Sequence, residues 1–241
     1  GIVGLSVGRT IALVLAMERI AGTLHIADAD DIELSNLNRM SCSLFELGMP
    51  KWMSAARAIA EIDPYLDVKV WPEGFRREDI AEFLDGVDLV VDACDGPEAK
   101  ALLRLGARDR RIPLIMETND RGLLDVERYD LEETQDFLHG RVTAEQLTEL
   151  AQGGTWTREW LDAFVDLSSI SPRATDSLAE VGRTLAGWPQ LHSDAALGAG
   201  AAAAIIRRLL LGEAIADQRL RFDLHEPVSY THLTLPTTKN V

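Results

Sequence analysis

The sequence predicts an α/β fold: a doubly wound, Rossmann-like, mostly parallel sheet with helices on both faces. Three observations predict it. A strand-like Ile2-Val3 runs into a glycine turn and then a helical pattern. Short strand-like runs end on acidic residues: Thr23–Ala27 before Asp28, and Leu89–Asp92, apolar up to its own aspartate as parallel central strands are. These runs alternate with helical patterns, which implies right-handed crossovers between parallel strands.

The elements follow in order. Gly1-Ile2-Val3-Gly4 reads as the last residues of a buried strand, so the first strand is expected to be truncated at its start. Ile11, Leu13, Val14, Leu15 and Met17 then make a mostly apolar helix, and Thr23–Ala27 a short strand. A polar stretch leads to Pro50, after which Trp52, Ala55, Ala56, Ile59 and Ile62 recur at helical spacing until Asp63-Pro64 stops the helix. Val68–Trp71, Leu89–Asp92 and Leu114–Met116 are further strands. Glu78–Leu84 and Pro97–Arg110 are helices, the second with proline in its first turn.

Beyond Arg121 the rhythm changes. Gly122–Tyr129 reads as extended, but Leu131 to Pro189 is polar and helical in pattern, broken by Gly153-Gly154, Pro172 and Pro189. This is a helical insertion after the fifth strand, at about 131–190. An Ala-rich helix, Asp194–Leu211, stops at Gly212, and Arg219–Leu224 forms a last strand. Residues 1–228 are expected to form one domain. Ser229–Val241 turns abruptly Thr-rich and nearly uncharged and reads as a translated sequencing adapter, a non-native tail outside the fold.

Composition bounds the function. At 241 residues with 46% apolar content, the chain can build one well-buried core with elaboration, but not two enzymes. A net charge of −15 disfavours nucleic-acid backbones and acidic membrane surfaces as partners. The Ala-rich helix approaches membrane-spanning length, but Asp194, Arg207 and Arg208 fall inside it. With only Cys42 and Cys94 there is no disulfide framework and no Cys-X-X-Cys pair to hold zinc, so a cytoplasmic setting is expected.

Gly4-Leu5-Ser6-Val7-Gly8 occupies the place of a phosphate-cradling turn, between a strand and a helix N-terminus that favours an anion. Ser6 stands where a second glycine would allow close backbone approach, and a tight turn without a ligand is the alternative reading. Asp28, at the end of the second strand, can accept both hydroxyls of an adenosine ribose. That position suits NAD as well as ATP, and an acidic residue that only caps a turn is the plainer possibility. Asn36, Arg39 and Lys51 follow closely. Together they could neutralise the phosphates that nucleotidyl transfer, unlike hydride transfer, must stabilise, although the stretch could equally be a solvated charged loop.

At this point the sequence resembles the ThiF/MoeB/ubiquitin-activating-enzyme superfamily. The resemblance rests on Asp28-Ala29-Asp30, Ser35-Asn36-Leu37-Asn38-Arg39, Gly48-Met49-Pro50-Lys51, Ile62-Asp63-Pro64, and Asp92-Ala93-Cys94-Asp95 followed by Lys100. It runs in order from Gly1 to about Asn119 and returns at the Ala-rich helix. It implies ATP-dependent adenylation of a carboxylate with release of pyrophosphate. Gly4, Gly8, Asp28, Asp30, Asn36, Arg39, Lys51 and Asp95 would bind the nucleotide, and Asp95 would hold Mg²⁺. Arg39, Lys51 and Asp95 would act in catalysis. The usual acceptor in this superfamily is the C-terminal glycine of a small ubiquitin-like or sulfur-carrier protein, and a homodimer is implied. The GLSVG loop with Met116–Glu132 (METNDRGLLDVERYDLE) is similar to a bacterial MoeY-like branch, some of whose members are joined to a C-terminal nitroreductase-like flavin domain. An NAD- or FAD-associated module serving a redox partner, or a non-catalytic scaffold, remains the alternative.

The departures bear on mechanism. The glycine loop is shorter than the superfamily's, and carries Ser6 and Arg9; Gly96 replaces an asparagine. No cysteine lies between Asn119 and Pro189, so a thioester step there is not expected. The superfamily's arginine finger, which the partner subunit supplies from before the first strand, is expected to lie upstream of Gly1. Cys94 and Cys42 read as packing residues, His25 as a satisfied sheet residue, and Trp156 and Trp160 as core. His139, His192, His225 and His232 read as isolated.

Overall fold

The computed structural model describes residues 1–131, 136–185, 187–222 and 224. Its centre is β1 (Ile2–Val3), whose Ile2 pairs with Ile26 of β2 (Thr23–Ala27) on one side and with Val91 of β4 (Val90–Asp92) on the other. β3 (Asp67–Trp71) extends the sheet beyond β2, and β5 (Leu114–Glu117) beyond β4, all parallel. β6 (Leu123–Glu127) and β7 (Gln218–Arg221) then add antiparallel, giving the order β3-β2-β1-β4-β5-β6-β7. This is the expected doubly wound sheet with an antiparallel edge, which mixed sheets of this kind commonly carry.

Alternation along the strands feeds two cores, since successive side chains point to opposite faces. Ile2, Ile26, Val91 and Ile115 face α1 (Gly8–Glu18), α2 (Lys51–Ile62) and α9 (His192–Leu210). Val3, Val90, Leu114 and Met116 face α3 (Ile80–Phe83) and α4 (Pro97–Asp109). The alanines of α9 let it lie close on α1: Ala199, Ala202 and Ala203 are all fully buried. Gly212, at φ +75°, takes the left-handed backbone just past the end of α9.

The insertion is built of α5 (Phe137–Gly140), α6 (Ala144–Leu150), α7 (Arg158–Val165) and α8 (Pro172–Leu178). Thr143, Thr157 and Ser171 cap the last three with their side-chain oxygens. Though polar in composition, the insertion presents Phe137, Leu147, Leu150 and Phe164 to the α4 side of the core, all at most 1% exposed. Burying those four side chains at about 1.5–3 kcal/mol each is enough to dock short helices that would be marginal alone.

One expectation is corrected. His139 is not isolated: its ring bridges Asp125, 3.2 Å away on β6, and Asp217, just before β7. Residues 138 and 139 adopt left-handed backbone to place it there. His225, His232 and the segment 229–241 lie outside the described residues. Among the described residues no helix is long and apolar enough to cross a membrane.

Candidate functional site

Because β1, β2, β4 and β5 run parallel, the loops that leave their carboxyl ends share one edge of the sheet. The winding reverses between β1 and β4, and a doubly wound sheet binds ligands at that switch point. The glycine turn lies there. Gly4, at φ +88°, donates its N–H to Ala27 O at 2.9 Å, and any side chain on it would overlap the Ala93 carbonyl. A Cβ on Gly8 would stand 2.8 Å from Ile2 Cγ2 and 3.3 Å from Ala93 Cβ. Both glycines therefore press the start of α1 against the turn after β4.

The start of α1 has no side-chain cap at Val7 and no acidic residue in its first turn. Its positive end is thus uncompensated by a carboxylate of its own. The nearby carboxylate is spoken for. Asp28 accepts the Leu5 N–H on Oδ2 at 2.6 Å and the Asp30 N–H on Oδ1 at 2.9 Å. Burial raises its carboxyl pKa, while Lys51 and the two amides oppose that shift. Each oxygen keeps a second lone pair, so the group can still accept a ligand hydroxyl. Lys51, the buried first residue of α2, holds Asp30 Oδ2 at 2.7 Å and stands 4.0 Å from Asp28 Oδ1. Leu5, Asp28, Asp30 and Lys51 form one hydrogen-bonded cluster around the β1 and β2 ends.

Asn36 and Arg39 belong to the loop after β2. Asn36 is buried and braces a 3₁₀ turn, its Oδ1 accepting the Glu33 N–H at 2.9 Å. Arg39 donates to Ser35 O at 2.9 Å and Asn38 Oδ1 at 3.2 Å, and its buried Nε has no partner among the described residues. Arg39 and Lys51 share no partner. His192, at the start of α9, contacts Arg39 O at 3.1 Å, and Asn38 donates to Gln190 O at 2.8 Å. These contacts correct the isolated reading of His192 as well.

Between this loop and His192 an open cleft of about 560 Å³ is lined by Leu37, Met40, Ser41, Cys42, Ser43 and Glu46. Arg9 reaches Glu46 from the first turn of α1, at 3.5 Å. Its Nε and Nη1 are buried without partners among the described residues. Glu46 is the acceptor of Ser54 Oγ at 2.6 Å. Ser54 lies one turn along α2 from Lys51, on the same face of the helix.

At the end of β4, Asp92 is fully buried. Burial alone would raise its carboxyl, but Lys100 at 2.9 Å and Arg104 at 2.6 Å outweigh it and hold the pKa at about 2. Lys100 is therefore a structural partner of Asp92. Arg104 also lies 2.9 Å from Glu127 on β6. Asp95 is exposed, and its backbone carbonyl accepts Trp156 Nε1–H of the insertion at 3.1 Å. Burial, with Asp92 beside it, pushes the Cys94 thiol pKa well up, so it stays protonated. Among the described residues no group of three or more His, Cys, Asp or Glu side chains could hold a metal. A divalent cation at Asp95 would accordingly draw its other ligands from phosphate and water, as Mg²⁺ commonly does.

At the end of β5, Glu117 is buried, and burial raises its pKa to about 8 against the opposing Asn119 N–H. It lies where a Cβ on Gly198 would overlap its carboxyl. Arg9, Trp156 and His192 are the site residues that local sequence patterns miss. Arg9 alone left a signal, a basic residue at the head of the glycine-turn helix.

Comparison with known proteins follows the same boundary. Residues 1–119 match the ThiF family. An uncharacterised protein of Mycobacterium tuberculosis, MT1398, is 44% identical over 227 residues, covering 93% of this chain and 32% of that protein. Molybdopterin-synthase adenylyltransferase of Haemophilus influenzae is 32% identical over 96 residues, 39% of each chain. The tRNA threonylcarbamoyladenosine dehydratase of Bacillus subtilis is 31% identical over 127 residues, 52% of this chain and 50% of the relative. The chain thus spans half or less of each relative's length. Among solved structures, the E. coli tRNA N6-threonylcarbamoyladenosine dehydratase TcdA in complex with ATP superposes with a TM-score of 0.60 at 19% identity, over 88% of this chain and 84% of that one. PaaA superposes with a TM-score of 0.61 at 21% identity, over 88% and 55%. At these identities the likeness is one of fold.

Proposed function

Residues 1–119 belong to the ThiF family, and from that premise we propose that this chain is the nucleotide-binding part of an ATP-dependent adenylating enzyme. A carboxylate attacks the α-phosphate of ATP, and acyl-adenylate and pyrophosphate result. The observation that carries the reading is the cluster at the β1 and β2 ends: a carboxylate fixed by two amides, a buried lysine beside it, and an uncapped helix start.

In this reading Asp28 accepts the ribose hydroxyls, and the turn from Gly4 to Gly8 receives the α-phosphate at the head of α1. Asn36, Arg39 and Lys51 face the phosphates, with Lys51 exchanging Asp30 for the nucleotide. Asp95, free of side-chain partners among the described contacts, carries Mg²⁺ together with the phosphates. The chemistry is positioning and charge stabilisation, and requires no protein nucleophile. Neither cysteine is assigned a thioester, since burial raises both thiol pKa values. The carboxylate is that of a small ubiquitin-like or sulfur-carrier protein. The likeness to molybdopterin-synthase adenylyltransferase supports that class. A homodimer in the cytoplasm, with a neighbouring nitroreductase-like domain, completes the proposal.

ATP–pyrophosphate exchange with a carrier ending in Gly-Gly tests it. Exchange is expected in the wild-type chain and is lost in Lys51→Ala and Asp95→Ala. Saturable NADH binding without ATP competition, or ATP binding equal in wild type and both variants, overturns it.

A further inference from the structure

The geometry points to Arg9 as an in-chain cation for the terminal phosphates of the nucleotide, and for the pyrophosphate that leaves. Arg9 is 4% exposed, yet two of its three guanidinium nitrogens have no partner among the described residues and the third meets Glu46 only at 3.5 Å. A buried guanidinium so poorly compensated is costly unless a further anion completes it. Its place makes the cost greater. It sits in the first turn of an eleven-residue helix whose N-terminus lacks both a cap and an acidic residue, so a cation has been added to an already positive helix end. One anion resolves both problems.

Position selects the kind of anion. The helix start adjoins Asp28 through the Leu5 amide, while Arg9 extends to Glu46, which Ser54 binds from the face of α2 that also carries Lys51. A ligand whose ribose lies at Asp28 and whose α-phosphate lies at the glycine turn carries its further phosphates toward Arg9. That the anion is a nucleotide tail rests on the adenylation reading; that there is an anion site rests on the burial of Arg9. In the reaction, a carboxylate oxygen forms a bond to the α-phosphorus as the bond from that phosphorus to the bridging oxygen breaks. The electron pair departs on pyrophosphate. A planar, permanently charged fork suits that developing charge.

The test is calorimetry of the full chain with ATP, AMP and pyrophosphate, for wild type, Arg9→Met and Arg9→Lys, together with the thermal midpoint of each ligand-free protein. Arg9→Met is expected to weaken ATP and pyrophosphate by about tenfold to a hundredfold. AMP binding should stay within about twofold, and the ligand-free midpoint should not fall, as for an apolar replacement of an uncompensated buried charge. Arg9→Lys, which keeps the charge without the fork, should lie between, and stands in if the methionine variant does not fold. Unchanged ATP and pyrophosphate affinity, or an equal loss of AMP, overturns the role of Arg9 alone. If wild type binds pyrophosphate through Arg9 but neither nucleotide, the anion site stands and the adenylation reading falls. If it binds none of the three, both fall.

Discussion

The Arg104 guanidinium lies 2.6 Å from Asp92 Oδ2, and neither side chain has any exposure. The pair lies at the end of β4, so the turn that carries Asp95 starts from a charge pair buried in the core. Removing Arg104 leaves Asp92 with Lys100 as its counter-charge and takes a cation from buried Glu127. Arg104→Ala is expected to cost about 3–5 kcal/mol in denaturant unfolding, and Arg104→Met less, since it fills the space. Asp92, held at about 2 against an ordinary 3.8, adds stability that is fully present above pH 4 and is lost as pH falls toward 2.

His139 has the opposite sign. Burial would lower its pKa, but Asp125 and Asp217 raise it to about 9 from 6.5. Its contribution is therefore complete below about pH 6.5 and is lost as pH rises through 9. His139→Gln should flatten the unfolding free energy between pH 6 and 10, removing a loss of the order of 1–2 kcal/mol once screening by solvent is allowed for. A variant with the wild-type alkaline slope would show that the imidazole is not the titrating group.

Two glycines of α9 should respond oppositely. On Gly198 a Cβ overlaps the Glu117 carboxyl, whereas on Gly200 it meets nothing within 4 Å. Gly198→Ala is expected to destabilise by about 1–3 kcal/mol, and Gly200→Ala to stabilise by about 0.5–1 kcal/mol. Paired thermal melts check this.

Asp28→Ala should weaken adenosine, AMP and ATP alike, about tenfold or more, because it removes an acceptor common to all three. Calorimetry showing a loss for ATP alone would move Asp28 from the ribose to the phosphates.

Much of this was legible in the sequence, and the reason is distance along the chain. Strand alternation, the Pro64 stop and the Gly212 stop are local, and each element appears where its own residues dictate. Asp28, Asp30 and Lys51 were also within reach, since two short strand ends and one helix start bring them together. The buried Asp92–Arg104–Glu127 network was not, because two elements and a reversal of strand direction separate its members. The same holds for Trp156 on Asp95 and His139 between Asp125 and Asp217. Lys100 was found by motif, but its role as a core ion partner is visible only once Asp92 is seen to be buried.

The late helix α9 carries a consequence for synthesis. It covers α1, ties to it through Arg207 and Glu18, and its leading segment holds the loop of Asn38 and Arg39. None of these contacts can form until residues 190 to 207 have left the ribosome. Until then, the flank of α1 that α9 covers stays open, and the loop of Asn38 and Arg39 lacks its contacts to Gln190 and His192. The half of the chain that carries the recognisable signature is thus made before the helix that completes its packing.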